Sequence, residues 1–438
     1  MEDKDFVTKT DYWPISKSCI VLNIGRKYIK VGFSNSLRPL AILQVGELWD
    51  ECFDRFRIEN KNRESIGKVI NQDDVLDDDQ REPHVKFNQL TNDISNNSDS
   101  DCRINRNKLV FNYVDKIKHL GKWKIKWLLF LQELYTSYLK CNPKDYSVIL
   151  VEKVLFPDSI RNCIIDYLIK DMGISGICTI EEPLAALYTS GIPTGIVVDI
   201  GISETVIYPV YNGYPIIQSI IILNFGYNQI IDYFKRILIR QLDVINEDKE
   251  EDITNNELTL IKSLQDPIFE DILFQCGIVK PQNNDIIDES NSDVIGNFEY
   301  NYISNDGMIY QIISIDQYSR TQPFELFFGD DKYDSEIVYD IVIDGIIPSI
   351  KACNIDIRKE IVQNILVSGG IAATYGFEQR LLSELKSTIG LDPKLEPLGK
   401  FINIISPPIS PFIRSYSGAS IYASLPGLNF ITSKEIVH

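Results

Sequence analysis

The amino-acid sequence predicts an α/β fold of two duplicated lobes around a cleft, interrupted by polar insertions. Three observations predict it. The stretch IVLNIGRKYIKVGF at 20–33 is echoed by IVVDIGISETVIYP at 196–209: each is a β-branched run, a polar residue, a glycine and a second run beginning a few residues later. Short apolar runs alternate with helix-spaced segments over 148–391, the pattern of a parallel or mixed sheet with helices on both faces. At 438 residues the chain also exceeds the size at which one hydrophobic core stops growing.

In chain order, 20–33 reads as the first hairpin. Residues 58–107 then break the pattern: rich in Asn, Asp, Ser and Glu and without apolar periodicity, they read as a long loop, as do 243–258 and 281–307. Order resumes with a buried strand at 148–151. Pro157 and Asp158 then open a helix with apolar residues at Ile160, Cys163, Ile164, Tyr167 and Leu168. Residues 177–180 read as a short strand, and EEPLAALYTSG as a helix from Glu181 to a terminal Gly191. The second hairpin unit follows, its chain turning at Asn212-Gly213 into an apolar run at 216–223 that reads as a buried strand. YNQIIDYFKRILIRQL is a helix, and DIRKEIVQNILVSGGIAATYGFEQRLLSELK reads as helix, strand, loop and helix.

Composition narrows the functional classes. Hydrophobic residues make up 44% and aromatics 11% of the chain, as in an ordered protein with a sizeable core. A balance of 44 Lys+Arg against 62 Asp+Glu gives a net charge of -18, which disfavours nucleic acid and anionic lipid as partners. Much of that acidity lies in loop-like stretches such as 73–80 and 246–252, where it is solvated. No apolar run reaches membrane-spanning length, so no membrane insertion is expected. The eight cysteines form no C-x-x-C pair and the opening MEDKDFVTKTDYWP lacks an export pattern, which together imply a reducing compartment, cytoplasmic or nuclear. The three histidines stand at no metal-ligand spacing, which argues against zinc.

The glycine turns carry the chemistry. A glycine in a hairpin turn lets backbone N–H groups approach an anion, so two such turns, at Gly25 and Gly201, could clamp a polyphosphate from both sides of a cleft. Lys30 would supply a point charge to the phosphates, and Asp199 would position a hydrated magnesium ion. A tight turn with a capped strand end explains either hairpin taken singly. The SGG at 368–370, which closes a strand before a helix, adds Gly369 and Gly370 as a surface for a nucleoside. The three features in this order are more specific than any one of them.

These residues resemble the actin superfamily. DIGISETVIYPVYNGYP, beginning at Asp199 one residue before Ile200, is similar to the family's second phosphate hairpin and following strand pair; EEPLAALYTSGIPTG resembles the helix leading into it. CNIDIRKEIVQNILVSGG at 353–370 is the most specific match, and SGASIYASL and ITSKEI resemble the closing helix and the motif beyond it. The resemblance implies an N-terminal lobe at 1–190, a C-terminal lobe at 191–400 and a return to the first lobe at 401–438. The chain also departs from the family pattern. Asn23 stands where the first hairpin carries Asp, Glu182 where a water-orienting Gln is placed, and Ser203 where the later hairpin has a second glycine. On the base side, Leu273 matches an adenine-contacting Lys, and Thr374, beside Tyr375, a stacking Tyr. What the resemblance then implies is a body without efficient ATP hydrolysis, and no catalytic residue at the degenerate position Glu182. Its cleft either holds ATP or ADP with magnesium as a structural ligand or holds no nucleotide.

Within the superfamily, ELYTSYLKCNPKDYSVILVEKVLFPDSIRN resembles most the divergent actin-related subunits at the pointed end of dynactin. That resemblance implies a cytoplasmic, cytoskeletal protein that caps an actin-like minifilament and supports dynein-driven transport. Its partners would be an actin-like filament subunit on the barbed-facing side and further dynactin pointed-end subunits on the side carrying the insertions. Two other roles fit the same fold: a nuclear actin-related subunit of a chromatin-remodelling complex, and an ATPase or sugar-kinase-like phosphotransferase with Glu182 as base.

Overall fold

The computed structural model describes residues 19–45, 122–154, 156, 158–248, 266–282, 296–303, 309–329 and 339–433. The chain divides into two compact units, Val45–Leu134 and the remainder, Met1–Gln44 with Tyr135–His438. In the smaller unit the described element is the helix Lys122–Glu133. Trp127, Leu128 and Leu131 are buried along one side of it, as i, i+1, i+4 spacing on a 3.6-residue period requires. The polar stretch 58–107 lies outside the described residues.

The larger unit contains two sheets of the same design. In the first, β1 (Ile20–Ile24) and β2 (Tyr28–Phe33) form the first hairpin. With β3 (Ala41–Gln44), β4 (Val148–Glu152) and β5 (Ile177–Glu181), they give the order β3-β2-β1-β4-β5. In the second, β6 (Gly195–Ile200) and β7 (Thr205–Tyr211) form the echoing hairpin. Along the chain follow β8 (Tyr214–Pro215), β9 (Ile221–Leu223), β12 (Ile365–Gly369) and β13 (Ile404–Ile405). The order is β13-β12-β6-β7-β8, with β9 also on β7. Reversed, this is the first order again. In both sheets the hairpin partner is antiparallel and the strand on the other side of the leading strand is parallel, β4 beside β1 and β12 beside β6. The repeated sequence therefore corresponds to a repeated topology. Its leading strands are buried throughout because each is sandwiched between neighbours and covered by helices.

The helices follow their sequence signals. Asp158–Asp166 buries Ile160 and Ile164, and the chain continues in a wider π-type turn over Tyr167–Asp171. In Tyr227–Asp248, Ile230, Ile231, Phe234, Ile237 and Leu238 are all buried and mark the core stripe. Ile355–Val362 and Phe377–Leu391 flank β12 as expected. The Asn212-Gly213 turn has positive φ at both residues, 52° and 81°, as a two-residue type I′ hairpin requires. None of the six described cysteines forms a disulfide, and among the described residues no helix is long and apolar enough to cross a membrane.

Four expectations need correction. The helix after β5 begins at Glu182, not Glu181, because Glu181 still pairs with Glu152 in the sheet; Gly191 lies beyond its end at φ 68°. The run 216–223 is not one buried strand. Ile217–Ser219 is a 3₁₀ turn with Ile217 75% exposed, and only β9 pairs with β7. The polar stretch 243–258 is helical as far as Asp248, having no Gly or Pro before that point to stop the helix. Finally, 281–307 contains a strand, β10 (Phe298–Ile303), paired antiparallel with β11 (Ile309–Ile315). The alternation of aromatic and polar residues in FEYNYI was the available signal, and Tyr300 is buried by it.

Candidate nucleotide cleft

The turns of the two hairpins are built alike. The Gly25 N–H donates to the Tyr28 carbonyl at 3.0 Å and the Gly201 N–H to the Glu204 carbonyl at 2.9 Å. Beside them β12 ends at Gly369, whose φ of 102° only glycine adopts without strain. A Cβ there would also stand 2.0 Å from the Ile200 carbonyl oxygen, so the SGG turn lies hard against the end of β6.

These three turns enclose a cavity of about 430 Å³. Gly25, Lys30, Glu182, Asp199, Gly201, Gly369 and Gly370 all line it, as do Leu273 and Thr374. Asn23 is fully buried and stands outside the lining, hydrogen-bonded to two residues that do form it; Ser203, in the second turn, does not line it. Sequence reasoning missed two features. Lys153, the first residue beyond β4, reaches the cavity from the carboxyl end of a parallel strand, where open α/β sheets place ligand contacts. Topology was the signal for it. Lys27 and Tyr28 of the first turn also meet Glu270 in the helix Asp266–Cys276, through a Lys27 ion pair and a Tyr28 Oη donation to Glu270 Oε2 at 2.9 Å. These side chains thus bridge the cavity wall.

A chain of charged groups lies at the base. Lys153 Nζ is 3.2 Å from Glu182 Oε2, Asn23 Nδ2 donates to Glu182 Oε1 at 3.3 Å, and Lys30 Nζ donates to Asn23 Oδ1 at 3.4 Å. Burial pushes the Glu182 carboxyl up, but Lys153, Lys30 and the Asn23 donation outweigh it and hold the pKa below the usual carboxylate value. Asp199 goes the other way. Burial first and the Glu182 charge second push it up to about 6, against the opposing pull of Lys153, the Ser368 hydrogen bond and Lys30. Burial lowers Lys30. For Lys153, burial is opposed by Glu182, Asp199 and Glu204, and the net direction is upward.

The cavity volume and the glycine-lined, lysine-bearing walls fit a nucleotide, since ligand pockets span about 300–1,000 Å³. A hydrated magnesium ion fits poorly. It is held through its water shell by carboxylates beside the phosphates, and Asp199 alone remains for it at the base of the cleft, since Asn23 offers none and Glu182 is already paired with an ammonium. Among the described residues no group of three or more His, Cys, Asp or Glu side chains is placed to hold a metal ion. Lys153 and Asn23 lie against the two oxygens of Glu182, and with its pKa held below the usual carboxylate value it is a weaker proton acceptor than an ordinary carboxylate.

Comparison with known proteins agrees with this geometry. The family model described as Actin matches residues 16–435. Actin-related protein 10 of Dictyostelium discoideum is 23% identical over 383 residues, which are 84% of this chain and 74% of that protein. An actin-like protein of Neurospora crassa is 26% identical over 299 residues, 67% of this chain and 70% of that one. Actin-related protein 3 of Oryza sativa subsp. indica is 26% identical over 313 residues, 67% and 68% of the two chains.

Proposed function

Because this chain belongs to the actin family, we propose that it serves as a structural actin-related subunit rather than an ATPase. In this reading it caps the pointed end of the actin-like minifilament of dynactin, in the cytoplasm, in support of dynein-driven transport. One observation carries the structural part. The acidic group facing the cavity where a water-orienting amide is expected, Glu182, is locked by Lys153 and Asn23, while both sheets around it are intact. An intact fold around a Glu182 held in this way supports a role through shape rather than turnover. The similarity to an actin-related protein 10 across 84% of the chain supports the choice among actin-related roles.

A subunit of this kind adds to a filament through an actin-like face, on the side of the barbed-facing neighbour. Its opposite end meets other pointed-end subunits and does not seat a further actin, so heterologous growth stops. Nucleotide in the cleft acts as a structural ligand and stabilises the closed body by mass action. Affinity purification of the tagged full chain followed by mass spectrometry tests the assignment. Dynactin and dynein subunits are the expected recovery. Chromatin-remodelling subunits in their place would move the protein to the nucleus and end the capping role.

A further inference from the structure

We propose that the cleft takes the polyphosphate of a nucleoside di- or triphosphate without a divalent cation, Lys153 supplying the positive charge that a metal ion would otherwise bring. The inference rests on reading the cavity as a nucleotide site. Lys153 Nζ stands 3.2 Å from Glu182 Oε2 and 3.1 Å from the point where a Cβ on Gly201 would lie. The ammonium therefore sits between the start of the helix Glu182–Tyr188 and the second glycine turn, facing the cavity.

Three consequences follow from that position. A divalent ion placed against the phosphates would meet two ammoniums in the same lining, Lys30 and Lys153, and like charges repel. The two carboxylates offset this only in part: Glu182 is ion-paired with Lys153, which leaves Asp199 alone beside the phosphates for a metal. An ammonium also has three N–H donors, so Lys153 keeps two for phosphate oxygens while holding Glu182. Asn23 contributes an amide where a carboxylate would repel the incoming phosphates, and its side chain ties Lys30 to Glu182. The set thus offers an anion two ammoniums, with an amide where a further carboxylate would stand.

Calorimetric titration of the full chain with ADP and with ATP, in EDTA and in excess magnesium chloride, tests this. The Kd in EDTA should lie within about threefold of that in magnesium, well inside the tenfold that corresponds to 1.4 kcal/mol. Lys153→Met should weaken binding in EDTA by about 100-fold, and magnesium should restore much of it. Should that variant misfold with Glu182 left unpaired, Lys153→Met combined with Glu182→Gln removes both charges and carries the same expectation. Wild-type binding at least tenfold tighter with magnesium would overturn the inference yet keep the nucleotide site. Equal Kd values for wild type and for the folded lysine variant in EDTA would overturn the role of Lys153. Absence of binding in either buffer would overturn the nucleotide reading itself, and the inference with it.

Discussion

Valine in place of Gly418 is expected to destabilise the protein by about 3 kcal/mol or more, near the top of the range for overpacked cores. The helix Arg414–Tyr422 crosses Glu182–Tyr188 so closely that a Cβ on Gly418 would stand 1.7 Å from the Ala185 carbonyl oxygen. Backbone meets backbone there, so no side chain can swing aside. Other contacts on the same helix prevent it from sliding away. Arg414 is buried, and the Ser417 and Ser420 hydroxyls donate to the Leu37 and Ser36 carbonyls at 2.6 and 3.0 Å. The damage would reach the cleft, because the helix that is displaced begins with Glu182. Urea denaturation reads the loss directly. A midpoint within experimental error of wild type would show that the crossing is looser than the structure has it.

Asp199→Asn should have the opposite effect on stability at neutral pH. The folded pKa is pushed up to about 6 from an ordinary 3.8, by burial first and by Glu182 second, with Lys153, Ser368 and Lys30 opposing. Below about pH 4 the carboxyl is protonated in both folded and unfolded chains, and its favourable contribution is fully present. Between pH 4 and 6 the folded chain holds a proton that the unfolded chain has released, so stability falls as pH rises and is lost above the folded pKa. A shift of this size, with the pull of the two lysines already included, corresponds to roughly 3 kcal/mol. The asparagine variant mimics the protonated form and should gain roughly 2 kcal/mol at pH 7, with the gain shrinking toward zero at pH 4. Denaturation midpoints at the two pH values decide the matter. A loss of stability at pH 7 would mean that Lys30 and Lys153 attract the carboxylate more strongly than burial penalises it.

Much of the fold was readable because the chain repeats itself. The paired β-branched runs in 20–33 and 196–209 set two hairpins, and the glycines at 25 and 201 place their turns. Elements defined by long-range pairing were less legible. FEYNYI lies in a polar neighbourhood, and only its pairing with β11 makes it a strand. The run at 216–223 is apolar throughout, yet Pro215 and a 3₁₀ turn leave Ile217 facing solvent. Hydrophobicity without periodicity does not say which residues a sheet will accept. In the cleft, the glycines and Lys30 carried a local signal, and nine of the sequence-derived positions do line one cavity. Lys153 and Glu270 carried none. Each matters through a partner distant in sequence, Glu182 for the first, Lys27 and Tyr28 for the second, and such partners are known only once the strands are ordered.

The most direct test of an actin-family body with lapsed chemistry is phosphate release from ATP by the purified full chain. With Glu182 held charged by Lys153 and Asn23, release should not rise above that of ATP in buffer. Turnover at actin-like rates or faster, abolished by Glu182→Ala, would contradict a structural role and return the protein to the enzymes.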